Sequence, residues 1–133
     1  MRSVFVDLSA QECRDRIAAG GVGRVAFCGP DGPELYPVNF TVVDGHVVFR
    51  VAPYTRLGMG IDGRPVVFEV DDLDAERRSG WSVVVKGTAR AVEDPDETAS
   101  LRRRGPEPWA PGQRQQFVRV STLRASGRHV VAG

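Results

Sequence analysis

The 133-residue chain is predicted to be a mainly β domain, an antiparallel sheet of five or six short strands that closes into a barrel or partly open barrel. Three observations carry this. Apolar segments rich in Val and Phe recur from residue 22 to residue 122, several of them alternating with polar residues. Gly, Pro and Asp clusters separate them at hairpin spacing. That many strands leave edges and two faces to bury, which closure of the sheet accomplishes. No repeat, low-complexity tract or linker divides the chain, so residues 1–133 form one domain with one core.

The elements follow in order. Ser9 is a good N-cap with Glu12 three residues on, a capping box that opens a first helix with Ala10, Cys13 and Ile17 on one apolar face. Leu8 would staple against Cys13, and Gly20 and Gly21 end the helix. Strands are predicted at 22–28 (VGRVAFC) and 34–43 (ELYPVNFTVV), joined by GPDGP. Asp44-Gly45 makes a tight hairpin into a third strand that ends at Val51. PVVFEVD (65–71) and GWSVVVKGTARAV (80–92) are the next two, with Gly87 predicting a bulge or bend. DPDETASLRRR opens with acids and closes with arginines, the order that suits a helix dipole. QQFVRVST (115–122) is the last clear strand. GPEPWAPG (105–112) is too proline-rich for helix or central strand.

Composition excludes several classes. The hydrophobic share is 41%, and no apolar run approaches the ~20 residues of a spanning helix. The N-terminus lacks a signal-peptide core and reaches an acid by Asp7, so a cytoplasmic protein without a membrane partner is expected. A net charge of +1 argues against nucleic acid as a partner. Cys13 and Cys28 lack CxxC spacing and are expected to be buried free thiols. Lys86 is the only lysine. A GC-rich genome accounts for such arginine preference, so arginine content alone says nothing about phosphate, and position has to carry that argument.

Position points to FRVAPYTRLGMG (49–60). Val47, Phe49 and Val51 point to the core, and Val48 and Arg50 point away from it. Pro53 keeps the chain extended, and Thr55 caps a short helix from Arg56 to about Ile61. Arg50, Thr55, Arg56 and the first helical N–H groups would converge as an anion site, with Arg suited to bidentate phosphate binding. The alternative is a solvated strand end with Arg56 paired to Asp62 or Glu69. Pro37 marks YPVNF as an edge or bulge, where Asn39 would meet a flat heterocycle or face solvent. Trp81 and Ser82 head a strand, Trp81 as core or as ligand contact. Trp109, in the proline-rich loop, is expected to dock on a surface or ligand. His46 and His129 have no metal-binding spacing, EVDDLDAE reads as a solvated acidic loop, and no catalytic constellation is present.

Taken together and in this order, VGRVAF, YPVNF, FRVAPYTRL, VVFEVD, GWSVVVKGTARAV and PWAPG resemble the pyridoxamine 5′-phosphate oxidase-like proteins. These are FMN-binding split β-barrels, and the short actinobacterial type is the most similar, over about residues 8–121. The resemblance implies a six-stranded, antiparallel, Greek-key-like split barrel with short flanking helices. It also implies a homodimer with flavin at the subunit interface, and oxidoreductase activity on a small-molecule substrate. FMN is the implied cofactor, with a deazaflavin, or none, as the alternatives. Val38 and Asn39 would border the flavin ring, Arg50, Thr55 and Arg56 its ribityl phosphate, and Ser82 and Trp81 its polar edge. Trp109 and Arg119 would reach the cofactor held mainly by the partner chain. One departure stands out: relatives usually carry Gly-Thr-Lys where this chain has Tyr54-Thr55-Arg56. If that glycine has positive φ, Tyr54 costs energy or reshapes the turn, and its phenol would stack on the ligand or take its place. A non-catalytic flavin, deazaflavin or tetrapyrrole binder is the alternative function. Oxidation of pyridoxamine phosphate itself is not expected from so short a chain.

Overall fold

The computed structural model describes residues 3–109 and 115–132, so positions 110–112 of the proline-rich stretch lie outside the described residues. A first strand, β1 (Ser3–Leu8), leads into helix α1 (Ala10–Ile17). Its capping box is formed: Glu12 N–H donates to Ser9 Oγ at 3.1 Å and Ser9 N–H to Glu12 Oε1 at 3.0 Å. Cys13 and Ile17 turn inward, and Leu8 packs against the same cluster. Beyond the helix Gly20 takes φ 73°, as a chain reversal there requires.

Two long strands, β2 (Gly21–Gly29) and β3 (Gly32–Val43), form a hairpin. Asp44 and Gly45, at φ 50° and 77°, then turn the chain into β4 (His46–Val51). Positive φ at both central residues matches the twist of the flanking strands. Helix α2 (Arg56–Gly60) precedes β5 (Pro65–Asp74), β6 (Ser79–Thr88) and the two-residue β7 (Arg90–Ala91). Helix α3 (Pro95–Arg104), β8 (Gln116–Ser121) and β9 (Ala125–Ala132) complete the chain.

All strands belong to one antiparallel sheet, in the order β1-β9-β6-β5-β2-β3-β4-β8-β7. The sheet curls into a half-barrel. Although β6 and β8 are not ladder neighbours, they meet at one end, where Gly87 of β6 lies against Val120 of β8. A Cβ on Gly87 would stand 3.1 Å from Val120 Cγ1. Of the expected bulge or bend, the bulge is absent at Gly87, since pairing with β5 runs regularly through it, and the chain turns off just beyond, after Thr88, to pair with β8. The six predicted strands are β2, β3, β4, β5, β6 and β8. Among the described residues the sheet has nine, because β1 and β9 were not anticipated and the strand predicted at 80–92 is divided at Ala89 into β6 and β7. Part of the expected acidic loop is also ladder: Asp71, Asp72 and Asp74 pair with Ser82, Trp81 and Ser79.

Strand alternation assigns every side chain to one of two faces. The inner face holds the main core, including Val25, Phe27, Phe40, Phe49, Phe68, Val83, Val85, Val118 and Val120. Phe68 centres it, edge-on to Phe40 at 5.0 Å and stacked on Phe49 at 6.4 Å. A second cluster lies on the outer face, where α3 covers β4 and β8: Val48, Val92, Leu101 and Phe117. Among the described residues, that is the part of the outer face covered by a helix. Cys13 is buried, but Cys28 is exposed, a correction with a simple cause. The register puts Cys28 opposite Pro33, on the uncovered side of β2.

Candidate functional site

Two cross-strand pairs, Val22↔Asn39 and Phe40↔Phe49, place the residues that matter. Asn39 precedes the second pair and Arg50 follows it, so both project from the outer face on adjoining strands. Arg50 is opposite Phe117 on β8, and its guanidinium sits 4.8 Å from the centre of that ring. Phe117 is itself buried in the second cluster, which gives the guanidinium a fixed floor.

The Asn39 amide is engaged by the proline-rich loop. Its Nδ2 donates to the Glu107 carbonyl, and its Oδ1 accepts the Trp109 N–H at 3.3 Å. The loop leaves α3 through Gly105, whose N–H donates to Leu101 O at 2.6 Å. Pro106 is buried, so the loop crosses from the covered β8 side to β3 and brings Trp109 beside Asn39. The Trp109 side chain is 75% exposed. Pro37 fits the same geometry. The β4 ladder begins only at Phe40, so at Pro37 the strand β3 pairs with β2 alone, and the missing N–H is tolerated.

The turn after β4 is more occupied than the sequence implies. Thr55 caps α2 as predicted, but its hydroxyl proton goes to Ala52 O at 2.7 Å while Oγ1 accepts from Gly58 N–H at 3.1 Å. A Cβ at position 58 would run into the Ala52 carbonyl, which explains a glycine in so short a helix. Arg56 points toward the β2–β3 turn, 3.6 Å from both Asp31 and Glu34. The alternative partners are committed elsewhere: Asp62 accepts the Ala91 N–H and Glu69 pairs with Arg24. Glu34 also accepts the Tyr36 hydroxyl at 2.7 Å, which raises the phenol's pKa. Tyr54 is 69% exposed and lies outside the positive-φ region, which among non-glycine residues holds Asp44 and Arg78. The anticipated strain at Tyr54 is absent.

Ser82 shares the outer face with Asn39 but lies three strands away on β6, between Asp71 and Arg128. There it lines a cleft of about 490 Å³ with Lys86, Ser126 and Arg128. Val38 and Trp81 face inward and pack against the main core, Trp81 with the Arg16 guanidinium 5.9 Å from its ring centre. Arg119 is tied to Glu97 of α3. The structure thus gathers Asn39, Arg50 and Trp109, sets Thr55 and Arg56 just past the end of β4, and separates the rest.

Three features of this face escaped sequence reading. Val22, opposite Asn39, presents an apolar surface beside it. Thr41 Oγ1, two residues along β3, is buried without a hydrogen-bond partner among the described residues. Alternation alone would have put both on Asn39's face. The third is a charge triad, with Arg24 Nη1 3.3 Å from Glu69 and 3.7 Å from Asp71. Burial of Glu69, its hydrogen bond to Asp71 and that neighbour's charge raise its pKa to about 7 against the pull of Arg24.

Comparison with known proteins agrees with this architecture. The pyridoxamine 5′-phosphate oxidase family model matches residues 9–130. An uncharacterized Mycobacterium tuberculosis protein is 35% identical over 132 residues, 96% of this chain and 86% of that one. The FAD binding protein of Mycobacterium smegmatis is 35% identical, with a TM-score of 0.77 over 93% of this chain and 97% of its own. A Corynebacterium glutamicum structure named for the same oxidase is 31% identical and superposes with a TM-score of 0.83, covering 100% of this chain and 98% of that one. With the half-barrel and the matched span in agreement, the chain belongs to the pyridoxamine 5′-phosphate oxidase family.

Proposed function

We propose that the protein is a cytoplasmic flavin-dependent oxidoreductase that works as a homodimer, with the flavin on the outer face beside Asn39, Arg50 and Trp109. The observation that carries this reading is the meeting of a stacked guanidinium, an exposed indole and an uncovered sheet face at one place. That set suits a flat ring bearing an anionic tail. The buried Thr41 hydroxyl adds a polar group to the same face. Bound flavin would supply hydride or electron transfer, which accounts for the lack of an acid–base pair in the sequence.

The chain's own residues bind and orient. Arg50, fixed on Phe117, is the phosphate anchor. Arg56 joins it by exchanging its long contacts to Asp31, which is exposed and costs little to release, and to the more buried Glu34, which keeps the Tyr36 hydroxyl as a partner. Thr55 holds the turn through its cap rather than by donating to phosphate. A second copy would cover the apolar residues left open on the outer face, Val22, Leu35 and Val67, and on the edge strand, Val4, Phe5 and Val6. Among the described residues no helix is long and apolar enough to cross a membrane.

FMN is the expected cofactor, and a deazaflavin is the second choice. The FAD-binding relative adds the dinucleotide to the titration. Purified protein should show flavin absorption, or acquire it on titration with one of the three, and should lose it in the double variant Arg50→Ala, Arg56→Ala. A colourless protein that takes up none of them overturns the proposal. If flavin binds but no acceptor accelerates reoxidation of its reduced form, the protein is a carrier.

A further inference from the structure

We propose that Asn39 is a positioning residue, which sets Trp109 against the cofactor face instead of touching the cofactor. The inference rests on the flavin reading above and concerns how that site is organised.

A side-chain amide offers two donor hydrogens and one carbonyl acceptor. Asn39 spends a donor on Glu107 and its acceptor on Trp109. The two contacts straddle Pro108, whose ring fixes its own φ and holds Glu107 extended. Pro106, buried just before, anchors the other end. Residues 106–109 are therefore a stiff segment pinned at the Glu107 carbonyl and the Trp109 N–H by one side chain, 70 residues away in sequence from Trp109.

What the pin holds is telling. A structural loop of this kind would bury its largest residue, yet the Trp109 side chain is left 75% exposed. Its backbone is held at Asn39, on the face that carries Arg50, while its indole stays uncovered. An aromatic surface pre-positioned in this way avoids an ordering cost when a flat partner arrives. With its carbonyl and one amide hydrogen engaged by the loop, Asn39 keeps little to offer a ring directly.

A double-mutant cycle on flavin affinity separates the two roles. Asn39→Ala and Trp109→Ala should each weaken flavin binding about tenfold, the size expected from loss of the pinning hydrogen bonds or of a stacking surface. Combined, they should bind no worse than Trp109→Ala alone. Additive losses, about a hundredfold together, would mean that Asn39 contacts the flavin itself and would overturn the inference. Asn39→Asp keeps the side-chain shape and the acceptor for Trp109 but loses the donor for Glu107. It should fall between wild type and Asn39→Ala, and it serves as the folded control.

A second readout needs no flavin. In the apo protein, the Trp109 contribution to fluorescence anisotropy, taken as the difference from Trp109→Ala, should drop in Asn39→Ala. Unchanged anisotropy would sink the proposal. If wild type binds no flavin, the functional reading fails, while the anisotropy still decides whether Asn39 holds Trp109.

Discussion

Glu69 shows what a single residue's surroundings can do to stability. It sits half-buried beside Asp71, with one guanidinium, Arg24, shared between the two carboxylates. Burial first, and then the hydrogen bond to Asp71 and its charge, favour retention of a proton, and the Glu69 pKa rises to about 7 against the pull of Arg24. The sign follows from linkage: a carboxyl whose folded pKa lies above its unfolded value binds more protons when folded. Its stabilising contribution is complete below the ordinary carboxylate range and fades as pH climbs through about 7. Thermal melts of wild type should therefore lose stability between about pH 4.5 and 7, by on the order of 1 kcal/mol once solvent screening of the triad is allowed for. Glu69→Gln should flatten that part of the profile, and an unchanged slope would reject the account. Sequence alone shows Glu69 and Asp71 on one strand face, but the guanidinium that couples them comes from a strand 45 residues earlier.

Helix α3 explains why the two faces of the sheet behave differently. Its N-terminus is capped by Asp94, which accepts from Glu97 N–H at 2.9 Å. Its last turn is hooked to the β3–β4 hairpin by Arg104, which reaches Asp44 at 2.8 and 3.2 Å and holds that carboxyl below its usual pKa. Between these ends Leu101, 4% exposed, presses on Val48 and Phe117. Leu101→Ala should cost about 2–4 kcal/mol in denaturant unfolding. It should also loosen the floor under Arg50 and so weaken flavin binding. Arg104→Ala breaks only an exposed pair and should cost much less. Caps, the Asp44-Gly45 turn and the inward set Val47, Phe49 and Val51 are legible in the sequence because local chemistry decides them. Burial of Val48 is not, since α3 supplies its cover from half a chain away. Strands β1 and β9 were missed for a related reason. Val4, Phe5 and Val6 are all exposed, and Ser126-Gly127-Arg128-His129 has no apolar alternation, so backbone pairing defines both strands. The site was legible to the same extent: Arg50 and Trp109 stand out by type and position, whereas the engagement of Asn39 by a distant loop does not.

At the scale of the whole molecule, the half-barrel has its interior filled and much of its exterior uncovered. Leu35 and Val67, 66% and 38% exposed, flank Ala26 in register across three strands. A charge placed there meets little inside one protomer. Leu35→Arg should accordingly keep the wild-type melting temperature measured at low protein concentration, yet shift sedimentation from dimer to monomer and reduce flavin uptake with it. A wild-type chain that sediments as a stable monomer would remove the basis for a shared site.

The same exterior comes with reagents' targets built in. Lys86, the only lysine in the chain, and Cys28, the exposed thiol, line one outer cleft of about 570 Å³ together with Pro33 and Val67. Cys13 is sealed in the core, so a maleimide finds one accessible sulfur, and an acylating ester finds one side-chain amine besides the amino terminus. Two orthogonal labels can thus be written onto a single surface without engineering a residue. The rate at which each is taken up becomes a footprint of whatever comes to lie against it.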